Sequence, residues 1–302
     1  MAGAGTGADA VTAAGPAGRT RTFSLNLSTV FTGLPFLDRI DAAAAAGFDA
    51  VEFWWPRREL AAGLTPRVLA ARVRDAGVVV ALMNLDGGDL DAGDRGFAGV
   101  PGHDRSFRRG LPAALDLASR LNCHRLHALA GRRVLGHRLE DQLRLLESSL
   151  AFAADLAPPD TTITLEVLNR TDVPGYLIPD IRSALAVIDR VGRPNLGLQL
   201  DVYHLAMEGE DPAAVIREAA GRIAHVQLAD VPGRHEPGTG SIPFGSVLRA
   251  LDAAGYRGAI GLEYIPSRPA APDFAFLGAL VASARPDRPD RPAGGLGQAP
   301  TD

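Results

Sequence analysis

The chain has 302 residues, which suffices for one large domain with a sizeable hydrophobic core. Its 46% hydrophobic and 22% charged residues are ordinary for a globular protein, and a net charge of −4 argues against binding nucleic acid through attraction to phosphates. All 31 basic residues are arginine, which excludes Schiff-base, pyridoxal phosphate and P-loop mechanisms, because each of them needs a lysine.

The sequence also predicts the compartment in which the protein acts. No apolar run is long enough to span a bilayer, so no membrane partner is expected. The first residues lack the basic start and compact apolar centre of a signal peptide. Cys123 is the single cysteine, which excludes an intrachain disulfide. These features together predict a cytoplasmic protein.

The two ends of the chain differ in composition from its centre. Residues 1–21 are rich in alanine and glycine, and residues 285–302 are rich in proline, aspartate and glycine. Neither segment has the periodic apolar pattern of an element that packs against a core, so both are expected to be disordered tails. Residues 22–284 between them form the one predicted domain.

Short β-rich runs alternate with longer amphipathic runs along this domain. In chain order, eight strands are predicted at 22–27, 50–55, 78–85, 125–131, 162–168, 196–202, 223–230 and 258–265. Helical patterns lie between them, and the glycines of AAGF and AAGY predict helix ends before two of the strands. Eight strands, each followed by a helix, match a (β/α)8 TIM barrel in number and length. A doubly wound sheet is the alternative, but no G-x-G-x-x-G follows the first strand.

Polar residues stand at the carboxyl ends of the predicted strands, where TIM barrels carry their active sites. From the second strand to the eighth they are Glu52, Asn84, His127, Glu166, Asp201 with His204, Gln227 with Asp230, and Glu263. An ionised carboxylate is costly to bury without a partner. These strand ends therefore predict a site in which something holds the charge.

Four oxygen donors fall on four successive strand ends, namely Glu166, Asp201, Gln227 and Glu263. Converging carboxylates repel one another unless protons or a cation neutralise them. Three carboxylates and an amide oxygen suit a hard cation, so a bound Mg2+ or Mn2+ is expected; zinc would favour more histidine or cysteine. The alternative is that they are ordinary solvated residues.

Each of the other strand-end candidates has two interpretations. His127 either binds substrate or is a core histidine, and His204 either binds substrate or orients a ligand, unless its role is structural. Glu52 either contacts substrate or forms a hydrogen bond across the barrel mouth. Asn84 is a further candidate for substrate contact.

Arginine and tryptophan residues near the strand ends complete the set of candidates. Arg234 lies in a Gly/Pro-rich loop after the seventh strand, where its planar fork would suit a carboxylate substrate; Arg170 is the reserve candidate. Trp54 and Trp55 are interpreted as packing residues, with a sugar-binding platform as the alternative.

These segments resemble the hydroxypyruvate isomerase family of xylose-isomerase-like TIM barrels. The resemblance covers about residues 22–267 and is carried by the segments NLSTVFTGLPFLDRIDAAAAAGFDAVEFWWP, RLHALAG, LEVLNRTDVPGY, LGLQLDVYH, HVQLADVPGRHEPGTGSIPF and GYRGAIGLEYIP. DVPGRHEPGTG together with LEY is specific to this branch, whereas the barrel plan is shared more widely. One departure is Ser241, which stands where the family loop usually reads G-T-G-E-I.

The resemblance implies roles for several of these residues. It implies that Glu166, Asp201, Gln227 and Glu263 bind the metal, and that Glu166 and Glu263 are the catalytic pair. In related ketose epimerases, the positions that match His204 and Arg234 handle the substrate.

The expected reaction is an aldose–ketose type isomerisation of hydroxypyruvate to 2-hydroxy-3-oxopropanoate (tartronate semialdehyde), with two glutamates moving a proton through a metal-stabilised enediolate. Isomerisation of 2-oxo-tetronate or 3-epimerisation of a ketose is the alternative at the same site. An endonuclease IV-like phosphodiesterase is less favoured, because it would need a cluster of zinc-binding histidines. The expected partner is a small 2-oxo acid or sugar, and a homo-oligomer is compatible with the sequence.

Overall fold

Eight parallel strands close into a barrel in the computed structural model, which describes residues 13–14, 20–270 and 272–284. The strands described are β1 (Ala13–Ala14), β2 (Thr20–Arg21), β3 (Phe23–Asn26), β4 (Ala50–Phe53), β5 (Val79–Asn84), β6 (Arg125–His127), β7 (Thr162–Glu166), β8 (Leu196–Asp201), β9 (Ile223–Leu228) and β10 (Ile260–Leu262). Strands β3 to β10 form the barrel in sequence order, and β10 closes it against β3. All eight fall within the predicted strands, so the predicted TIM barrel is confirmed.

Helices follow every barrel strand. They are α1 (Phe36–Ala45), α2 (Arg57–Ala61), α3 (Pro66–Asp75), α4 (Asp104–Arg120), α5 (Leu139–Leu156), α6 (Ile181–Val191), α7 (Val202–Met207), α8 (Pro212–Glu218), α9 (Phe244–Ala253) and α10 (Phe276–Ser283). Their apolar faces, together with the strand side chains that point towards them, form one continuous buried core. No helix in the described part of the chain is long and apolar enough to cross a membrane.

The helix ends follow local sequence signals. Gly47 after α1 and Gly255 after α9 have positive φ angles of 90° and 75°, as the AAGF and AAGY patterns predict. Thr65 caps α3 by accepting a hydrogen bond from the backbone N–H of Val68, with proline at the first helical position. Helix α7 starts directly at the end of β8, where the Asp201 side chain accepts from the backbone N–H of Tyr203. The carboxylate that ends β8 is thus a helix cap as well as a site residue.

The strand register brings the polar residues to one level. Asn26 of β3 lies opposite Glu52 of β4, and Asp201 of β8 lies opposite Gln227 of β9. In the same way Asn84 pairs with His127, and Glu166 with Gln199. Because parallel strands of a closed barrel share this level, the strand-end side chains converge at one mouth.

The predicted tails lie mostly outside the described residues. Within residues 1–21, β1 and β2 pair as a two-residue antiparallel ribbon, and β1 lies next to α10. Arg21 also forms an ion pair with Asp252 of α9. The expectation of disorder for the rest of 1–21 and for 285–302 falls on residues outside the description and stays a prediction.

Candidate active site

A cavity of about 220 Å³ opens at the carboxyl ends of the barrel strands. Its wall carries Glu166 from β7, His127 from β6, Asn84 from β5, and Glu263 directly after β10. Leu129 and three other leucine or valine residues form the apolar part of the wall. A small cavity with converging polar groups at this end of a TIM barrel is the expected place for catalysis.

Three carboxylates, which we call the acidic set, lie buried at this mouth: Glu166, Asp201 and Glu263. Arg234 bridges two of them, because its Nη2 donates to Asp201 Oδ2 at 2.8 Å and to Glu263 Oε2 at 2.6 Å. Its guanidinium also lies 5.1 Å from the centre of the Tyr203 ring, where a cation is attracted by the π face. An arginine therefore neutralises part of the converging negative charge that the sequence predicts.

Burial changes the protonation of the acidic set. Burial, followed by the charges of Glu263 and Asp201, raises the pKa of Glu166 well above its usual range. Burial also raises the pKa of Asp201 to about 7, although the Arg234 charge opposes this shift. The pKa of Glu263 is raised by burial as well, again against the charge of Arg234. Carboxyl groups tuned in this way can both hold and release a proton near neutral pH.

Glu263 and Glu166 differ in their hydrogen bonds. Glu263 Oε1 accepts from Asn26 Nδ2 at 2.8 Å and from Trp54 Nε1 at 2.7 Å, in addition to the Arg234 bond on Oε2. Glu166 Oε1 is buried without a hydrogen-bond partner among the described residues, and His127 Nε2 lies 3.4 Å from its other oxygen. Donors to a carboxylate favour its ionised form, so the contacts favour ionised Glu263 and protonated Glu166.

His204 has a tautomer that its surroundings determine. Its Nδ1 accepts a hydrogen bond from the backbone N–H of Asn169 at 3.1 Å, so the proton of the neutral ring lies on Nε2. That Nε2 is 3.6 Å from Asp201 Oδ2, and the ring lines the cavity. Burial, followed by the charges of Arg234 and His127, lowers the pKa of His204 well below its usual value. His204 is therefore a neutral N–H donor directed at the site.

His127 is the second histidine of the cavity wall. Neither of its ring nitrogens has a hydrogen-bond partner among the described residues, although the side chain is buried. Burial, assisted by the charge of His225, lowers its pKa to about 3, so the ring is neutral. A buried polar ring without a partner is unusual in a folded protein and is explained if a ligand supplies the partner.

Glu52 and Gln227 lie beneath the cavity rather than on its wall. Both oxygens of Glu52 are satisfied inside the barrel, by Ser24, Asn26, His225 and Gln227. The close fit depends on a glycine in β10, because a Cβ there would lie 2.5 Å from Glu52 Oε2. This arrangement favours the second interpretation of Glu52, a hydrogen bond across the barrel mouth.

Gln227 belongs to the same buried chain of hydrogen bonds. Its Nε2 donates to Glu52 Oε1 at 2.7 Å, and its Oε1 accepts from Gln199 Nε2 at 2.8 Å. Thr164 in turn donates to Gln199 Oε1 at 2.8 Å. The amide oxygen of Gln227 is thus engaged with protein, and its role as a metal ligand stays a prediction.

The geometry identifies the residues that could hold a metal. Glu166, Asp201 and His204 each offer one atom, and the three atoms lie within 4.8 Å of one another. The two carboxylates fit a divalent cation, and the partnerless Glu166 oxygen is the kind of atom that a cation would satisfy. The His204 tautomer makes its Nε2 a donor rather than a ligand. Glu166 and Asp201 are therefore the residues that could bind a cation. Glu263 lies on the other side of Arg234, which bridges it to Asp201.

Arg170, the two tryptophans and Ser241 also have a clear structural outcome. Arg170 points away from the cavity and pairs with Glu208 and Asp180, so the structure does not support its reserve role as a carboxylate partner. Trp54 lines the cavity and holds Glu263, which is more than the packing role expected of it, whereas Trp55 packs on the core. Ser241 is exposed and bonds Val231, and it does not line this cavity.

Sequence reasoning did not identify Asn26, Arg95 and Asp172, among other residues of the site. Asn26 ends β3 and could have been found by extending the strand-end rule to the first strand. Arg95 and Asp172 line the cavity from loops, where neither periodicity nor a strand end marks them. Asp172 accepts hydrogen bonds from Tyr203 Oη at 2.7 Å and from Asn169 Nδ2 at 2.9 Å. It thereby holds Asn169, whose backbone N–H sets the tautomer of His204.

Comparison with known proteins agrees with this geometry. Residues 40–280 match the family described as Xylose isomerase-like TIM barrel. The chain is 38% identical to the 2-oxo-tetronate isomerase of Cupriavidus necator, over 85% of this chain and 96% of that protein. It is 37% identical to the hydroxypyruvate isomerase of Escherichia coli, over 81% of this chain and 93% of that protein. A crystal structure of an AP endonuclease, family 2, from Brucella melitensis superposes with a TM-score of 0.77 at 36% identity, covering 82% of this chain and 94% of that one.

Proposed function

The chain belongs to the xylose isomerase-like TIM barrel family and, within it, to the hydroxypyruvate isomerase family, and on that premise we propose that it interconverts hydroxypyruvate and 2-hydroxy-3-oxopropanoate. The observation that carries the proposal is the pair Glu166 and Glu263. Both are buried, both line one cavity, and both have a raised pKa. Two such carboxyl groups are what a proton transfer between adjacent carbons requires.

The reaction moves two protons without a net change in composition. One C–H proton leaves C3 of hydroxypyruvate and another is delivered to C2, while a hydroxyl proton passes from O3 to O2. One glutamate of the pair accepts the C3 proton and the other delivers a proton to C2; without a bound cation, the contacts favour Glu263 as the base and Glu166 as the acid. This assignment rests on the three donors that hold Glu263 and on the partnerless oxygen of Glu166.

Negative charge develops on the substrate oxygens in the enediolate, and two neutral histidines face it. His204 presents Nε2–H towards the cavity, and a fixed donor aimed at developing charge lowers the barrier without reorganisation. His127 has two unpartnered ring nitrogens, one of which always carries a proton. Both rings stay neutral at physiological pH, so they donate without attracting the catalytic protons.

A divalent cation, Mg2+ or Mn2+, belongs to the same proposal. Glu166 and Asp201 would hold it, with Glu263 nearby. When bound, it would act as a Lewis acid that stabilises charge on the two substrate oxygens. It would also share with Arg234 the task of neutralising the acidic set.

Isomerisation of 2-oxo-tetronate is the second candidate. It is supported by the likeness to the Cupriavidus necator enzyme, and its chemistry uses the same acid/base pair. The phosphodiesterase alternative has less support, because the cavity wall carries two histidines, His127 and His204, and the one metal-competent group in the described residues contains a single histidine.

The test is an NMR assay of purified protein with hydroxypyruvate, 2-oxo-tetronate and a ketose in separate reactions in D2O. We expect loss of the 2-oxo acid signals, with deuterium from solvent appearing on the carbons that exchange protons. The Glu166→Gln variant serves as the control for background enolisation. Turnover of the ketose alone would reject both 2-oxo acid candidates.

A further inference from the structure

We propose that Arg95 binds the substrate carboxylate and thereby selects 2-oxo acids over uncharged ketoses. The inference rests on the proposed function and deepens it. Arg95 lies on the long segment between β5 and α4 and lines the same cavity as Glu166, His204 and Glu263. No sequence motif marks Arg95. Among the described residues, Arg95 and Arg234 are the two arginines that line this cavity.

The backbone around Arg95 is built to hold it in place. Gly93 and Gly96 on either side have φ angles of 98° and 92°, which other residues rarely adopt. Gly96 also lies flat against the segment after β6, because a Cβ there would come within 2.2 Å of Leu129 O. Its N–H bonds Gly87 O at 2.9 Å, which closes the segment on itself. Arg95 therefore projects from a fixed turn.

The guanidinium of Arg95 has donors to spare. Its Nη1 donates to two backbone carbonyls, Leu90 O at 2.8 Å and Asp94 O at 2.6 Å. Within the described ranges, no carboxylate lies within ion-pair distance of it and its Nε and Nη2 form no hydrogen bond to protein. The side chain is half-buried, so a bound anion would be partly shielded from water. A planar fork with free donors suits a carboxylate.

Arg234 is differently committed. Its Nη2 donates hydrogen bonds to Asp201 and Glu263, so its positive charge neutralises part of the acidic set. A substrate carboxylate placed beside those acids would be repelled, so it gains more from a cation that no carboxylate engages.

Arg95 has charged neighbours of both signs. Burial, followed by the charges of Arg132 and Arg234, lowers its pKa, whereas the charges of Asp94 and Asp91 act in the opposite direction. Asp91 is itself paired with Arg58.

The test compares Arg95→Gln with Arg133→Gln. Arg133 is exposed on the segment after β6, at the same end of the barrel, and does not line the cavity, so it controls for the loss of one charge. The substrates are hydroxypyruvate and dihydroxyacetone, which carries a hydroxymethyl group in place of the carboxylate. We expect Arg95→Gln to raise KM for hydroxypyruvate about 10- to 100-fold, as for loss of a charge-assisted hydrogen bond, with KM for dihydroxyacetone within about twofold. Arg133→Gln should change neither, and Arg95→Lys should recover part of the loss.

Binding of glycerate, measured by calorimetry on the metal-loaded protein, makes this result independent of turnover. Weaker glycerate binding in Arg95→Gln than in Arg133→Gln supports the inference even if neither 2-oxo acid is turned over, an outcome that would reject the proposed function alone. Equal glycerate affinity in the two variants, or equal effects on the charged and uncharged substrates, would overturn the role of Arg95.

Discussion

The acidic set and the two cavity arginines, Arg95 and Arg234, are positioned by different parts of the fold. Glu166 and Asp201 end barrel strands, and Glu263 directly follows one, so strand register fixes their depth. Arg95 and Arg234 come from loops, and Arg234 itself has a left-handed φ of 57°. The strands thus supply groups that are common to many reactions, whereas the loops supply the charges that can tell one substrate from another.

The loop that carries Arg234 shows how such a residue is positioned without a strand. Asp230 is fully buried, and its two oxygens accept backbone N–H bonds from Val231, Gly238, Gly240 and Ile242. Glu236 ties the same loop to the segment after β10 through the N–H of Ser267. These four hydrogen bonds to one buried carboxylate hold the shape of the loop. In a strand, the backbone hydrogen bonds to neighbouring strands have this role.

Metal removal should have the largest effect on activity. It tests whether neutralising the acidic set requires a cation in addition to Arg234. We expect EDTA to abolish isomerase activity and added Mg2+ or Mn2+ to restore it, because one guanidinium cannot balance three buried carboxylates. Activity and bound metal are measured on the same samples. Full turnover by protein shown to be metal-free would mean that Arg234 and protons suffice.

The second prediction concerns the strand-borne pair. Replacing Glu166 or Glu263 with Gln keeps the side-chain volume but removes the acid or base, and loss of such a group typically costs about 10²- to 10⁴-fold in rate. Glu218→Gln, on the exposed face of α8, is the matched control and should leave the rate unchanged. Metal content is measured alongside, because Glu166 is also a candidate ligand. Variants of both residues within about threefold of wild type, well below that range, would remove them from the mechanism.

The third prediction separates the two loop arginines. Arg234→Gln leaves Asp201 and Glu263 buried without their partner, so we expect kcat/KM to fall about tenfold or more on hydroxypyruvate and dihydroxyacetone alike, with a lower melting temperature. Arg95→Gln should affect the carboxylate substrate alone. If Arg234→Gln instead raised only the KM for hydroxypyruvate, Arg234 would be the carboxylate partner, as the sequence suggests.

The same division explains what could be predicted from the sequence. The eight strands are predicted correctly because alternation and turn signals are local, and the strand-end rule then brings Glu166, Asp201 and Glu263 together. The rule could not say that Gln227 and Glu52 bond each other below the cavity, because that depends on side-chain geometry across the barrel. Nor could it find Arg95, whose position depends on Gly96 packing against the segment after β6.

The fourth prediction is a pH dependence of the metal-free protein. Burial raises the pKa of Asp201 to about 7 from a value of 3.8, so between about pH 4 and 7 the folded protein binds more protons than the unfolded chain. Its free energy of unfolding should therefore fall as the pH rises through this window, by on the order of a few kcal/mol. Thermal melts from pH 4 to 8 in EDTA measure the slope. Asp201→Asn should reduce the slope, with Glu166 and Glu263, whose pKa values are also raised, contributing the remainder; an equal slope in that variant would assign the whole effect to other groups.

The smallest expected effect concerns the ends of the chain, which belong to neither strand-borne nor loop-borne parts of the site. A protein truncated to residues 20–286 keeps every residue of the cavity and the Arg21–Asp252 ion pair, and it loses only β1 and its pairing with β2 from the described structure. Two backbone pairs next to α10 contribute little against a core of this size, so we expect folding and kcat/KM to be unchanged and the melting temperature to shift by at most about 2–4 °C, the change expected for about 1 kcal/mol. The full chain measured in parallel is the control, and size-exclusion chromatography of both checks the subunit number. A larger loss of stability would show that the removed segments dock on the barrel or on a second subunit, and a change in the elution volume would decide between the two.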